Sequence, residues 1–235
     1  MSANGVSCFV HFHGDLSRAD EVGRLAKNEL RAFKPMLGDA DTVILHMPIA
    51  VVGHDPLPVA QDARVLLCQI YFADERALAS PRIKTGIAAS LAKVAKAEGI
   101  HDVHTHVMTS ERLKVGSPDD KSACAEAVSF FVQYDGPAED QAAFHAYYRA
   151  HHVPIVFRMP GIRSVTYHLP MRIEPPVIGH AVERLQIVQA VFDSADDFVT
   201  MRQSPQRKEG LRDFSNYPKF EGPVTHQVMH SIRLD

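Results

Sequence analysis

Apolar positions along the chain switch repeatedly between a period of two and a period near 3.6, and the switches mark its elements. Short runs rich in Val, Ile, Leu and Phe at 7–13, 41–48, 63–73 and 102–112 predict strands, each bounded by turn-forming residues. Helical spacing at 18–33 and 81–97 predicts a helix after the first strand and another after the third. The second half reads the same way, with strands at 128–134, 163–169, 184–193 and 224–234. Its helices fall at 139–152 and 195–203, with a further helical stretch at 207–214. Asp135-Gly136-Pro137 and Pro160-Gly161 supply the turn chemistry between these elements.

The two halves also match residue by residue. At an offset of 122, Phe9-Val10 aligns with Phe131-Val132, Gly14 with Gly136, His46 with His168 and Pro48 with Pro170. At an offset of 120, Gln69 aligns with Gln189, Phe72 with Phe192, and Thr105-His106 with Thr225-His226. A colinear series with one two-residue gap predicts an internal duplication. Each half has the order βαββαβ, the ferredoxin-like arrangement of an antiparallel sheet with its helices on one face. The expected organisation is a degenerate first repeat at 1–115, a linker at 116–122 rich in Gly, Ser, Pro and Asp, and a second repeat at 123–235.

The first helix of each half locates the chemistry. Val22, Leu25, Ala26, Glu29, Leu30 and Phe33 form one helical face, and the offset of 122 turns them into Phe144, Tyr147, Tyr148, His151, His152 and Ile155. Ala26 thus corresponds to Tyr148 and Leu30 to His152. Polar atoms on a buried stripe cost on the order of 1–3 kcal/mol each unless hydrogen-bonded, so their presence here points to a cleft. Histidine titrates near neutrality and suits proton transfer. Pro154 is expected to end the helix just after His152 by disfavouring helical geometry at Val153.

These residues resemble a known family. Asp140, Phe144, Tyr147-Tyr148 and His152-Val-Pro154, followed by Met159-Pro160-Gly161-Ile162, are similar to the pattern of the EthD family of the dimeric α/β-barrel superfamily. The specific motif spans about 140–167, and the first half lacks its His-x-Pro element. The resemblance implies an α+β protein in which two ferredoxin-like repeats form a dimeric-barrel arrangement within one chain, with a small-molecule cleft between sheet and helices. It implies His152 as the site histidine and Tyr148 as its partner one helical turn earlier. Phe144, Tyr147, His151, Phe131, His168 and Arg158 are expected around the substrate. Of the strand neighbours Tyr167 and His168, only one can face the cleft.

The leading expectation is a cofactor-independent acid–base enzyme, a lyase, isomerase or cyclase, acting on a small oxygenated cyclic or aromatic compound. A cofactor-free or haem-dependent oxygenase is the second, and a non-enzymatic small-molecule-binding protein the third. The net charge of −3 and the absence of Trp give no basic-aromatic surface for nucleic acid. Cys8, Cys68 and Cys124 form no CxxC pair, which fits free thiols and a cytoplasmic location. No apolar run reaches membrane-spanning length. His11-x-His13 and His104-x-His106 each put two imidazoles on one strand face, but without a recognised ligand motif neither metal nor cofactor is expected. A homodimer of the chain is a further expectation.

Overall fold

A computed structural model describes residues 4–38, 41–49, 64–114, 126–172 and 175–234. The predicted linker at 116–122 and Cys124 lie outside them. The strands are β1 (Asn4–Gly14), β2 (Thr42–Pro48), β3 (Arg64–Phe72), β4 (Ile100–Lys114), β5 (Glu126–Tyr134), β6 (Ser164–Pro170), β7 (His180–Ala181), β8 (Gln186–Phe192) and β9 (Val224–Leu234). The helices are α1 (Ala19–Phe33), α2 (Glu75–Ala79), α3 (Pro81–Ala95), α4 (Gln141–Tyr147), α5 (Val153–Phe157), α6 (Ala195–Gln203) and α7 (Pro205–Asp213). The short helix α2 and the two-residue strand β7, which pairs in parallel with β4, were not foreseen.

Eight strands close into an antiparallel barrel in the order β1-β3-β2-β9-β5-β8-β6-β4, with β4 returning to β1. The first half contributes β4-β1-β3-β2 and the second β9-β5-β8-β6, the same order in each. Two seams join the halves. Val43 to Pro48 of β2 pair with Leu234 to Met229 of β9, and Met108 to Lys114 of β4 pair with Pro170 to Val165 of β6. Closure leaves neither four-strand layer with an open edge at the seam.

Strand alternation then sorts the side chains. In β1, Val6, Cys8, Val10 and Phe12 face outward and pack against Val22, Ala26, Leu30 and Phe33 of α1 and Ile87, Leu91 and Val94 of α3. In β5, Val128, Phe130 and Tyr134 do the same beneath Phe144, Tyr148, Phe198 and Met201. The inward set is different. Phe9, Leu67, Met108, Phe131, Ile187 and Met229 make a small apolar centre inside the barrel.

Around that centre runs a buried polar network. His46 is bonded through Nδ1 to Ser231 Oγ at 2.7 Å and through Nε2 to Gln69 Oε1 at 3.0 Å. Gln69 Nε2 donates to Ser7 Oγ at 3.2 Å, and Ser7 and Ser110 share a hydroxyl bond of 2.8 Å. Ser110 Oγ meets His168 Nδ1 at 2.8 Å. Across the barrel Gln189 Nε2 donates to Ser129 Oγ at 3.2 Å, and Ser129 shares a 2.8 Å bond with Ser231. Each participant in one half has a counterpart in the other: Ser7 and Ser129, His46 and His168, Gln69 and Gln189, Ser110 and Ser231. The rings of Phe9 and Phe131 stand edge-on to His168 and His46, each at 5.0 Å.

Burial holds His46 and His168 neutral, pushing each pKa from 6.5 down to about 3. The folded chain therefore binds fewer protons than the unfolded chain below pH 6.5. Stability from these residues is complete above that pH and is lost as pH falls toward 3, at on the order of 1 kcal/mol per pH unit per histidine. Urea unfolding between pH 7 and 5 is expected to show this decline, and a His168→Gln variant a shallower one. A flat profile over that window would contradict the assignment.

Candidate functional site

The second half's helix layer begins with a capped turn: the Asp140 carboxylate accepts from Ala143 N at 2.9 Å. Phe144, Tyr148, His152 and Ile155 are buried along the inner face. Pro154 does not end the helix there, contrary to the sequence expectation. The chain instead passes through one π-helical turn, Tyr148–His152, with Val153 N–H bonded to Tyr148 O, and continues as α5 with Pro154 in its first turn. A proline carries no N–H and is tolerated where a new helical segment starts. The widened turn sets both Tyr148 and His152 inward, and π-turns of this kind are frequent at functional sites.

His152 is 9% exposed. Its Nδ1 lies 2.9 Å from Oδ2 of Asp213, the last residue of α7. Oδ1 of the same carboxylate accepts from the Tyr147 hydroxyl at 2.9 Å. Burial lowers the His152 pKa and Arg207 lowers it further, whereas Asp213 opposes the shift by hydrogen bond and charge. The result is an imidazole that is neutral near pH 7 and fixed in orientation. Tyr148 tilts against it with ring centroids 4.9 Å apart and stacks on Tyr167 at 5.5 Å and 9°. Burial raises the Tyr134, Tyr148 and Tyr217 hydroxyl pKa values, Tyr134 to about 12, so these phenols remain protonated donors.

Next to His152 is a cavity of about 50 Å³, bounded among others by Phe130, Tyr148, Met159, Met201, Arg207 and Phe214. Small-molecule sites usually reach about 300–1,000 Å³, so a substrate must displace part of this lining. Met159 and Met201 are the side chains best suited to yield, being unbranched and adaptable. A larger cavity of about 590 Å³ lies elsewhere, at the end of the barrel near His106, Arg172 and Arg184.

Several expected neighbours of His152 are placed apart from it. Phe131 and His168 point into the barrel, on the opposite side of the sheet, because strand alternation puts Phe130 and Tyr167 on the helix side. Tyr167 is thus the member of its pair that faces the helices, where its hydroxyl donates to Gln186 Oε1 at 2.5 Å and meets His145 Nδ1 at 2.8 Å. His151 is exposed and stacks on Tyr147 at 4.4 Å. Arg158 is also exposed and pairs with Glu209 at 2.7 Å. Phe144 is buried behind Tyr134 and Tyr217. Tyr147 reaches the site only through Asp213.

Asp213 escaped the sequence reading. A signal did exist: the offset of 120 that aligns Gln69 with Gln189 also aligns Lys93 with Asp213. In the first half Lys93 pairs with Glu29 of α1 at 2.9 Å, so a lysine facing a carboxylate corresponds to a carboxylate facing histidine and tyrosine.

Fold and site together define an α+β barrel protein with a buried histidine–carboxylate pair beneath its second helix layer. Residues 136–217 match the EthD domain model. No curated protein matches the chain. Among solved structures it resembles an anthrone oxidase-like protein, at 13% identity and a TM-score of 0.61, covering 97% of this chain and 91% of that one. It also resembles a protein from Fusobacterium nucleatum given provisionally as a monooxygenase, at 12% identity and a TM-score of 0.56, covering 100% and 94%. A mutant chlorite dismutase from Candidatus Nitrospira defluvii matches at 12% identity and a TM-score of 0.51, covering 97% and 92%. At these identities the likeness is one of fold. Among the described residues no helix is long and apolar enough to cross a membrane.

Replacing Asp213 by Asn removes the influence that raises the His152 pKa. The His152 ring, followed by NMR, is expected to titrate lower in Asp213→Asn than in the parent. An upward shift would show that another group sets its charge.

Proposed function

We propose that the chain is a fused pair of ferredoxin-like repeats whose second copy is a cofactor-independent acid–base enzyme. The observation that carries the chemistry is the His152–Asp213 pair, fixed at 2.9 Å and bordering an apolar cavity. A neutral imidazole oriented by a carboxylate is the arrangement of a general base. His152 would take a proton from an activated C–H or phenolic O–H, and Asp213 would stabilise the imidazolium formed. Tyr148, a protonated phenol beside the ring, is placed to steady the developing oxyanion. The lining favours a small, largely apolar ring compound carrying a carbonyl or hydroxyl. Returning the proton at another carbon completes an isomerisation, and expelling a leaving group completes a lyase reaction. The first copy would serve as the barrel partner, since its α1 carries Ala26 and Leu30 where the second has Tyr148 and His152.

A second reading shares the same first step. The carbanion could give its electrons to O₂, forming a hydroperoxide that loses water to leave a ketone. Two observations favour this branch: the cavity is lined mostly by apolar side chains, and the fold resembles that of an anthrone oxidase-like protein. A haem does not fit the residues present, because Tyr148, Met201 and Phe214 close the space beside His152 to about 50 Å³.

The test is a panel of small cyclic ketones, phenols and anthrone-type compounds, assayed by NMR in D₂O for proton exchange or turnover and with an oxygen electrode for uptake. His152→Ala is expected to reduce the rate by on the order of 10²–10⁴-fold, and Asp213→Asn and Tyr148→Phe to reduce it less. Since the base must be neutral, activity should fall on the acid side through a pKa below 6.5. Full turnover by His152→Ala would rule the assignment out. Oxygen uptake matched to product distinguishes the second branch from the first.

A further inference from the structure

The end of the barrel opposite in character to the apolar centre holds a second cluster, unrelated to His152. β1 and β4 are paired so that His11 lies directly across from His104 and His13 across from Asp102. All four of His11, His13, His104 and His106 project inward and are at most 6% exposed. The rings of His11 and His104 stack at 4.6 Å, and those of His13 and His104 at 4.7 Å. One ring nitrogen from each of His11, His13 and His104 can be chosen so that all three lie within 4.8 Å of one another.

The hydrogen bonds of this cluster are unevenly distributed. His106 is fully engaged: its Nδ1 bonds Val182 O at 2.7 Å, and its Nε2 accepts from Arg184 Nε at 3.3 Å. His11, by contrast, is completely buried and neither ring nitrogen has a hydrogen-bond partner among the described residues. Among the described residues His104 Nε2 is likewise buried without one, while its Nδ1 lies 3.4 Å from Asp102 Oδ2. Leaving such groups unsatisfied costs on the order of 1–3 kcal/mol apiece, and nearly all buried polar atoms in proteins find partners. A ring that meets a carboxylate through one nitrogen and presents the other to its neighbours has the geometry of a metal-bound histidine with its outer-shell support.

We propose that His11, His13 and His104 bind one divalent first-row transition-metal ion, of the class of Zn²⁺, Co²⁺ or Ni²⁺, inside the first half's end of the barrel. Three neutral imidazoles are borderline donors that select such ions over Mg²⁺ or Ca²⁺. Burial and the neighbouring cations keep His11 and His104 neutral, as ligation requires. Asp102 also lies 3.5 Å from exposed His180, marking a polar route from solvent to His104. The charges at this end are mixed. Arg184 is paired with Asp135, and Arg64, whose Nη2 donates to Gln133, also acts on His11 as a positive charge, which opposes a dication. The second half has no equivalent, because Gln133, Asp135 and Thr225 stand where the first half has His11, His13 and His104. No short ligand motif marks this site in the sequence: its donors come from strands about ninety residues apart and meet through β-pairing.

The experiment is titration of the metal-stripped full chain with Co²⁺, followed by its visible absorption, and competition by Zn²⁺ in a calorimeter. Saturation at one ion per chain with nitrogen-ligand absorption is expected. His11→Asn and His104→Gln should each weaken binding more than about 100-fold, Asp102→Asn about 10–100-fold, and His180→Asn only slightly. Arg64→Met should tighten binding if the site takes a cation. Histidine ¹⁵N shifts of the unmutated protein on Zn²⁺ addition give a reading that needs no folded variant; they should move for His11, His13 and His104. Absence of saturable binding would overturn the proposal. Weakening by Arg64→Met would do the same, as would dependence on His180 with none on His11.

Discussion

The closure of the barrel on a polar centre constrains everything else in the molecule. Two seams, β2 with β9 and β4 with β6, bring His46, Ser231 and Ser129 together at one side and His168, Ser110 and Ser7 at the other. Each hydroxyl and imidazole there is too deeply buried to find bulk water and needs a protein partner, and the two bonds that cross between the halves are His46 with Ser231 and His168 with Ser110. A register slip of one residue at either seam would turn these groups outward and bring apolar side chains into their places. The network therefore fixes the relative position of the two halves more tightly than the apolar centre of Phe9, Phe131, Met108 and Met229 could alone.

With the inward faces committed to closure, the outward faces carry the freedom to differ. β1 and β5 present similar apolar rows to their helices, but the helices answer differently. Over β1, α1 offers Ala26 and Leu30 and a dry packed interface. Over β5, the same places hold Tyr148 and His152, and their polar atoms need partners. Asp213 and Tyr134 provide them from α7 and from the sheet. The π turn at Tyr148–His152 accommodates the larger rings without breaking the layer, because the extra residue per turn rotates the following segment back onto the core.

Much of the fold was legible in the sequence because it depends on local periodicity. The four strands and two principal helices of the first half, and the strands of the second, fall within a few residues of their expected bounds. The pairing of His46 with His168 by offset was also informative, although it identified a shared structural role and not a catalytic one. Legibility failed where the third dimension decides. Phe131 and Phe130 are adjacent in sequence and face opposite sides of the sheet, and only the register shows which of them meets the helices. Asp213 lies 61 residues from His152 in the chain, and the histidine cluster of β1 and β4 is assembled across a strand pair. Pro154 misled for a different reason: its effect on the preceding residue is real but weak, and a π turn relieves it.

The likeness of the Lys93–Glu29 pair to the Asp213–His152 pair, one position apart on the first helix since Glu29 aligns with His151, shows how little separates a structural contact from a chemical one on this scaffold. Both pairs join the first helix of a half to its later helix at the same distance, 2.9 Å. The first is exposed at its lysine and contributes little, as surface ion pairs do. The second has both side chains 11% exposed, so its electrostatic coupling is stronger and its desolvation cost higher. A carboxylate–imidazole pair at that depth is retained against its cost only if burial serves another purpose, and the cavity beside it supplies one. Excluding water keeps the imidazole neutral and sharpens its response to any proton brought within reach.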